Sequence, residues 1–199
     1  MLAFFAAGSP PVVVDVWPVT VAEARAQLSI YGEEFDAQIS GFIRAAASMI
    51  EGDTNTILRR RTFLDVFSNW SQFGYNRLQL ARGPNVAITQ ITYRDADGVD
   101  QILDPALYTV SDVHGIANVF PAGIESFPSA QLNPASIRVE YEAGYADNDA
   151  VPADLKQAAL VLIGHWFQNR EAVITGTIAS EAPLAYKALT RWHRIVRMG

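Results

Sequence analysis

The chain has 199 residues, 50% hydrophobic and 18% charged, with 15 Lys and Arg against 21 Asp and Glu and a formal net charge of -6. That apolar fraction excludes global disorder, and the length supports one sizeable core or a core with an appended lobe. The acidic balance excludes a general nucleic-acid coat, which needs Lys and Arg to neutralise phosphates, and the absence of cysteine excludes disulfides, thiolate metal sites and cysteine nucleophiles.

The first residues, Met1-Leu2-Ala3-Phe4-Phe5-Ala6-Ala7-Gly8, form a short apolar run with no basic residue before Arg25. A secretory signal needs a basic start and a longer apolar stretch, so residues 1–19 are read as an N-terminal arm kept extended by Pro10, Pro11 and Pro18. Nowhere does the chain carry the roughly 18 continuous apolar residues of a spanning helix, and no membrane partner is expected.

Thr20 and Glu23 have the spacing of a capping box, so a short helix is predicted over residues 20–28. A second helix starts near Glu34 or Asp36, with Phe35, Ile39, Phe42, Ile43, Ala46, Met49 and Ile50 at three- and four-residue spacing. Period two then replaces the helical period. Strands are predicted over residues 63–67, 77–80, 86–93, 101–103, 108–110, 118–120 and 137–141, with Asp97-Gly98 as a hairpin turn. Helical spacing resumes after Tyr145: Pro152 suits a first helical position, and Leu155, Ala158, Ala159, Leu162, Ile163, Trp166 and Phe167 share one face. Residues 171–182, rich in Ala, Thr, Ser and Gly, read as a loop. Pro183 opens a last helix, expected to turn Leu184, Leu189, Trp192, Ile195 and Val196 inward. The expected fold is therefore α+β: a helical frame of two N-terminal and two C-terminal helices over residues 20–60 and 150–199, interrupted by a small, mostly antiparallel β insertion over residues 61–149.

Charge is uneven along this plan. The stretch 93–154 is strongly acidic and the C-terminal stretch from residue 155 is basic. Either these are solvated faces, or they are two surfaces for two neighbours.

Motifs for chemistry are weak. Asp95, Asp97 and Asp100 imitate the start of a calcium loop, but the twelfth position, which should be a bidentate Glu, is Ala106. A hairpin turn accounts for them without metal. His165 and His193 lack a His or carboxylate at helical metal-site spacing, and no nucleophile elbow, phosphate loop or dinucleotide fingerprint occurs. Arg59-Arg60-Arg61 is read as charge at a helix end and a strand start, because adjacent side chains cannot all face one phosphate. No enzyme activity, cofactor or metal is expected.

The most distinctive passage runs from Tyr141 through Gly144 and Tyr145, then Pro152, Leu155 and Ala158, then His165-Trp166 to Arg170-Glu171. It resembles the head–tail connector, or adaptor, family of tailed bacteriophages and gene transfer agents. That family has a Tyr-x-x-Gly-Tyr turn, a Pro-start helix, a His-Trp/Tyr-x-x-x-Arg-Glu exit, a loop and a basic terminal helix. The opening helix from Thr20 to Leu28 also fits. The closing helix departs from the family pattern, with Ala182-Pro183 and Ala188-Leu189 in place of Leu-Pro and Leu-Leu.

The resemblance implies a non-enzymatic virion protein of the head–tail neck, made in the bacterial cytoplasm. It implies a ring, commonly of twelve subunits, that docks beneath the portal, extends the DNA channel and meets a stopper or tail-completion protein. DNA passes through without specific binding. On that basis Lys187, Arg191, Arg194 and Arg197, with Trp192 as anchor, are expected to dock the portal. Val173, Ile174 and Ile178 are expected at subunit contacts, with a loop touching its own core as the alternative. Asp95, Asp97 and Asp100 are expected to face the channel, where acidic walls let phosphates slide. The alternatives are another neck or tail-completion protein of the same particle, or a hydrolase with an unrecognised site.

Overall fold

A computed structural model describes residues 17–72, 75–123, 126–169 and 183–195. Helix α1 spans Val21–Leu28, and both halves of its capping box are formed: the Thr20 hydroxyl accepts from the Glu23 N–H while the Glu23 carboxylate accepts from Thr20. Burial pushes the Glu23 carboxyl the other way, but these bonds outweigh it and hold the group below its ordinary range. Helix α2, Asp36–Thr54, turns Ile39, Ile43, Ala46, Ala47 and Ile50 inward, and Asn55 in the left-handed region ends it. Helix α3, Ala153–Gln168, presents Leu155, Ala158, Ala159, Leu162 and Ile163 to the same interior; Pro152 is its N-cap rather than its first residue. Helix α4, Leu184–Thr190, follows Pro183 and buries Tyr186 and Thr190.

Between α2 and α3 lies the β insertion. A four-stranded antiparallel sheet has the order β1-β9-β5-β6, with β1 Arg61–Phe67, β5 Ala87–Arg94, β6 Asp100–Ile102 and β9 Ile137–Ala143. A second sheet joins β4 (Leu78–Gln79), β8 (Ile116–Pro121) and β7 (Tyr108–Val113). Strands β2, Ser71–Gln72, and β3, Tyr75–Asn76, form a small extra pair. Inward residues of the two larger sheets, among them Leu78, Leu80, Ile91, Val119, Ile137, Val139 and Tyr141, make a core of their own, closed by Trp70 stacked on Phe127. The α+β plan is thus observed, with helices at both ends flanking a β-rich middle.

The two parts are joined tightly at the start of β1. Arg59 bridges to Tyr145, and its guanidinium lies over the Trp17 ring, 4.6 Å from the centroid. Gly144 sits at φ +111°, where a Cβ would lie 2.8 Å from the Arg59 carbonyl carbon, so the turn that follows β9 requires glycine. The neighbouring arginines serve two further partners: Arg60 meets Glu142 at 2.8 Å and Arg61 meets Glu51 at 2.6 Å.

Candidate assembly surfaces

The C-terminal element is built as an anchor with an exposed outer side. On the inner side Tyr186 is fully buried and its hydroxyl donates to Asp53 Oδ2 at 2.6 Å. Burial, reinforced by the Asp53 charge, pushes this phenol well above its ordinary range, so it stays a donor. After α4 a single 3-10 turn, Arg191–His193, leads into a segment whose main chain is clamped by the Thr54–Thr56 segment. The Thr56 hydroxyl donates to the His193 carbonyl at 3.0 Å, Ile195 N–H donates to the Thr54 carbonyl at 2.8 Å, and Asn55 Nδ2 donates to the Ile195 carbonyl at 3.0 Å. The Ile195 side chain is buried against the β7–β8 turn: Gly115 is at φ +76°, and a Cβ there would lie 2.5 Å from Ile195 Cδ1 and push it aside. His193 Nε2 stands 3.2 Å from Asp154 Oδ2.

On the outer side Leu184 is 84% exposed and Trp192 78% exposed, which corrects the expectation that both turn inward. The helix ends at Thr190, so its inward positions are Tyr186 and Thr190, one turn apart, and Ile195 reaches the core as a separate anchor. Arg191 stacks over Trp192 at 4.7 Å, and Lys187 and Arg194 are exposed. Four of the residues expected at the portal, Lys187, Arg191, Trp192 and Arg194, therefore sit on one exposed element. Arg197 lies outside the described residues. So do Val173, Ile174 and Ile178. Behind this element is a cleft of about 370 Å³, lined in part by Thr56, His114, Tyr145 and Trp192.

The acidic hairpin between β5 and β6 is a different kind of surface. Asp95 Oδ1 accepts from the Asp97 and Val99 N–H groups at 3.0 and 2.9 Å, and its Oδ2 accepts from Gln101 at 2.9 Å. The Gln101 bond, with the backbone donors, holds the Asp95 carboxyl below its ordinary range. Asp100 is held low by Arg94, which donates twice at 2.8 and 3.2 Å, with Arg138 3.9 Å away. Asp95 and Asp100 thus shape the turn while remaining at the surface, and Asp97 is exposed at its tip.

Sequence reasoning missed a third surface, the outer face of the four-stranded sheet. Leu64, Val66, Val99 and Ile102 are exposed there and on its turn. Near α1 a cleft of about 390 Å³ is lined by Trp17, Val19, Ser40, Arg44 and Asn148 among others, a set with one charged side chain. Among the described residues no group of His, Asp and Glu is arranged to hold a metal, and no helix is long and apolar enough to cross a membrane.

A family model described as head completion protein matches residues 19–181, which leaves α4 beyond the match. No curated protein matches the chain. Among solved structures, a chain in the neck of a native gene transfer agent particle, computed with twelvefold symmetry, is 25% identical, with a TM-score of 0.69 and 96% of each chain covered. A chain in the virion of a native gene transfer agent particle is 26% identical, with a TM-score of 0.69 and 91% of each covered. A chain in the neck of an empty particle, computed with sixfold symmetry, gives 25% identity, a TM-score of 0.67 and 91% of each covered. These three likenesses extend over both the helical frame and the β insertion.

Proposed function

This chain belongs to the head completion protein family, and on that premise we propose that it is a non-catalytic neck subunit that docks as a ring beneath the portal of a phage-like particle. In that place it extends the DNA channel and carries the stopper or tail-completion protein on its far side. The family, together with similar chains in necks computed with sixfold and twelvefold symmetry, supports a structural part in a ring at the head–tail neck. The docking step rests on one observation. The C-terminal element is anchored through Tyr186, Thr190 and Ile195, yet sets Leu184 and Trp192 in solvent beside Lys187 and Arg191. A large aromatic ring and a leucine exposed on a rigid, basic support are what a protein partner buries first. The hairpin of Asp95, Asp97 and Asp100 suits a channel wall, since Arg94 and Arg138 are taken up by Asp100 and the tip stays acidic. Val173, Ile174 and Ile178 are proposed contacts between neighbouring subunits.

Deleting everything after Pro183 would remove Tyr186 and Ile195 from the interior, so point changes on the outer side give the cleaner test. The variant Leu184→Glu with Trp192→Ala should keep the circular dichroism of the parent and lose attachment to the portal in a pull-down. Undiminished attachment would contradict the docking proposal.

A further inference from the structure

We propose that neighbouring copies in the ring join edge to edge through the four-stranded sheet, the β6 edge of one subunit pairing with the β1 edge of the next. This rests on the ring reading above and adds the contact that builds it. The order β1-β9-β5-β6 leaves one side of β1 and one side of β6 open. Among the described residues, backbone pairing reaches β1 only from β9 and β6 only from β5.

The two edges match each other. Val66 pairs with Arg138, Arg138 with Thr92, and Thr92 with Ile102, so these four form one row across the outer face. The row ends at both edges in an exposed aliphatic side chain: Val66 is 53% exposed, Ile102 is 68% exposed, and Leu64, two residues before Val66 on the same face, is 55% exposed. Strand direction alternates across the sheet, so when one copy's sheet continues into the next, β6 meets β1 in the antiparallel sense. Neither β1 nor β6 contains Pro or Lys, and the charges that β1 turns inward, Arg61 and Asp65, are engaged within their own subunit by Glu51 and by Tyr141 and Ala81. Because the two edges are different surfaces, the contact is head-to-tail, the type that closes into a ring. A β1-to-β1 contact would stop at a dimer. Main-chain hydrogen bonds supply the pairing, and Ile102 packs on Leu64 and Val66. The three residues of β6 keep each joint short, so closure of the ring holds it.

The chain has no cysteine, so Val66→Cys with Ile102→Cys introduces the only thiols. Within one subunit they stand three strand spacings apart, about 14 Å, beyond disulfide reach. Oxidised on its portal, where native mass spectrometry reports a ring, the double variant should give a covalent ladder beyond dimer; each single variant, whose one thiol faces no other across the joint, should stay monomeric on a denaturing gel. A ring without the ladder would overturn the edge contact and leave the neck role standing. If the parent protein forms no ring on the portal, the neck reading fails and this contact with it. A second variant guards against misfolding. Ile102→Lys, at an exposed site, should keep the fold and weaken ring formation about tenfold, equivalent to about 1.4 kcal/mol; Val66→Asp in the same chain should restore it. Ring formation unchanged by Ile102→Lys would contradict the contact.

Discussion

In the helical frame, α2 and α3 turn Ile39, Ile43, Ile50, Leu155, Leu162 and Ile163 toward one another, and the apolar stripe of each is consumed inside the subunit. In the β insertion the four-stranded sheet buries the inner face of β9, half-buries that of β1, and sets Leu64, Val66 and Ile102 on the other side. The packing of α2 against α3 is complete within one subunit. The sheet carries apolar surface for which its own subunit has no use, and such surface on a family of neck proteins points to neighbours. Between the two regions the C-terminal element does both things at once: Tyr186 and Ile195 complete the interior while Leu184 and Trp192 stay outside.

That contrast can be broken by mutation. Leu162→Ala, in the frame, should cost about 2–5 kcal/mol in urea unfolding, because it removes buried methyl groups and leaves a cavity. A loss below about 1 kcal/mol would show the frame to be loosely packed. Gly115→Ala should cost about 1–3 kcal/mol, since the new methyl meets Ile195 at a positive φ; Ile195→Ala in the same chain should recover part of it if the clamp is real. Tyr186→Phe should cost about 1 kcal/mol through loss of the bond to Asp53. Leu64→Ser and Val66→Ser, on the outer sheet face, should change stability by no more than about 0.5 kcal/mol. A larger loss would mean that this face already serves the monomer.

Asp95 and Asp100 have carboxyls held below the ordinary range in the folded chain, by Gln101 and Arg94 respectively. As pH falls, the unfolded chain takes up these protons first, so their contribution is complete above the unfolded value of about 3.9 and is lost as pH drops through the lower folded values. Thermal unfolding followed from neutral pH downward should show this decline, and Asp100→Asn should make it shallower. An unchanged slope in that variant would remove Asp100 from the account.

Much of this was legible where the determining interactions are local. Thr20 and Glu23 specify a capping box within one turn, and Asp97-Gly98 specifies its hairpin within four residues; both are formed. Legibility failed where an apolar run has two possible faces. In Phe63-Leu64-Asp65-Val66-Phe67 the pattern does not say which alternate set is inward. The structure turns Asp65 inward with the phenylalanines, where its carboxylate accepts from the Tyr141 hydroxyl at 2.9 Å and the Ala81 N–H at 2.6 Å, and leaves Leu64 and Val66 outside. No neighbouring residue announces those partners, which arrive from elsewhere in the chain. The last helix failed for a related reason: α4 turns Tyr186 and Thr190 inward and so sets its first residue, Leu184, outside, Trp192 lies beyond its end, and Ile195 is anchored by bonds to the Thr54–Thr56 segment.

If this protein works by holding other polypeptides at a neck, electron microscopy of particles assembled with it and without it will show the difference. A ring of this fold should lie beneath the portal, with Trp192 buried against the portal, and necks should lack this layer when the protein is withheld. Necks of unchanged density in its absence, or a ring in which Trp192 remains in solvent, would contradict that role.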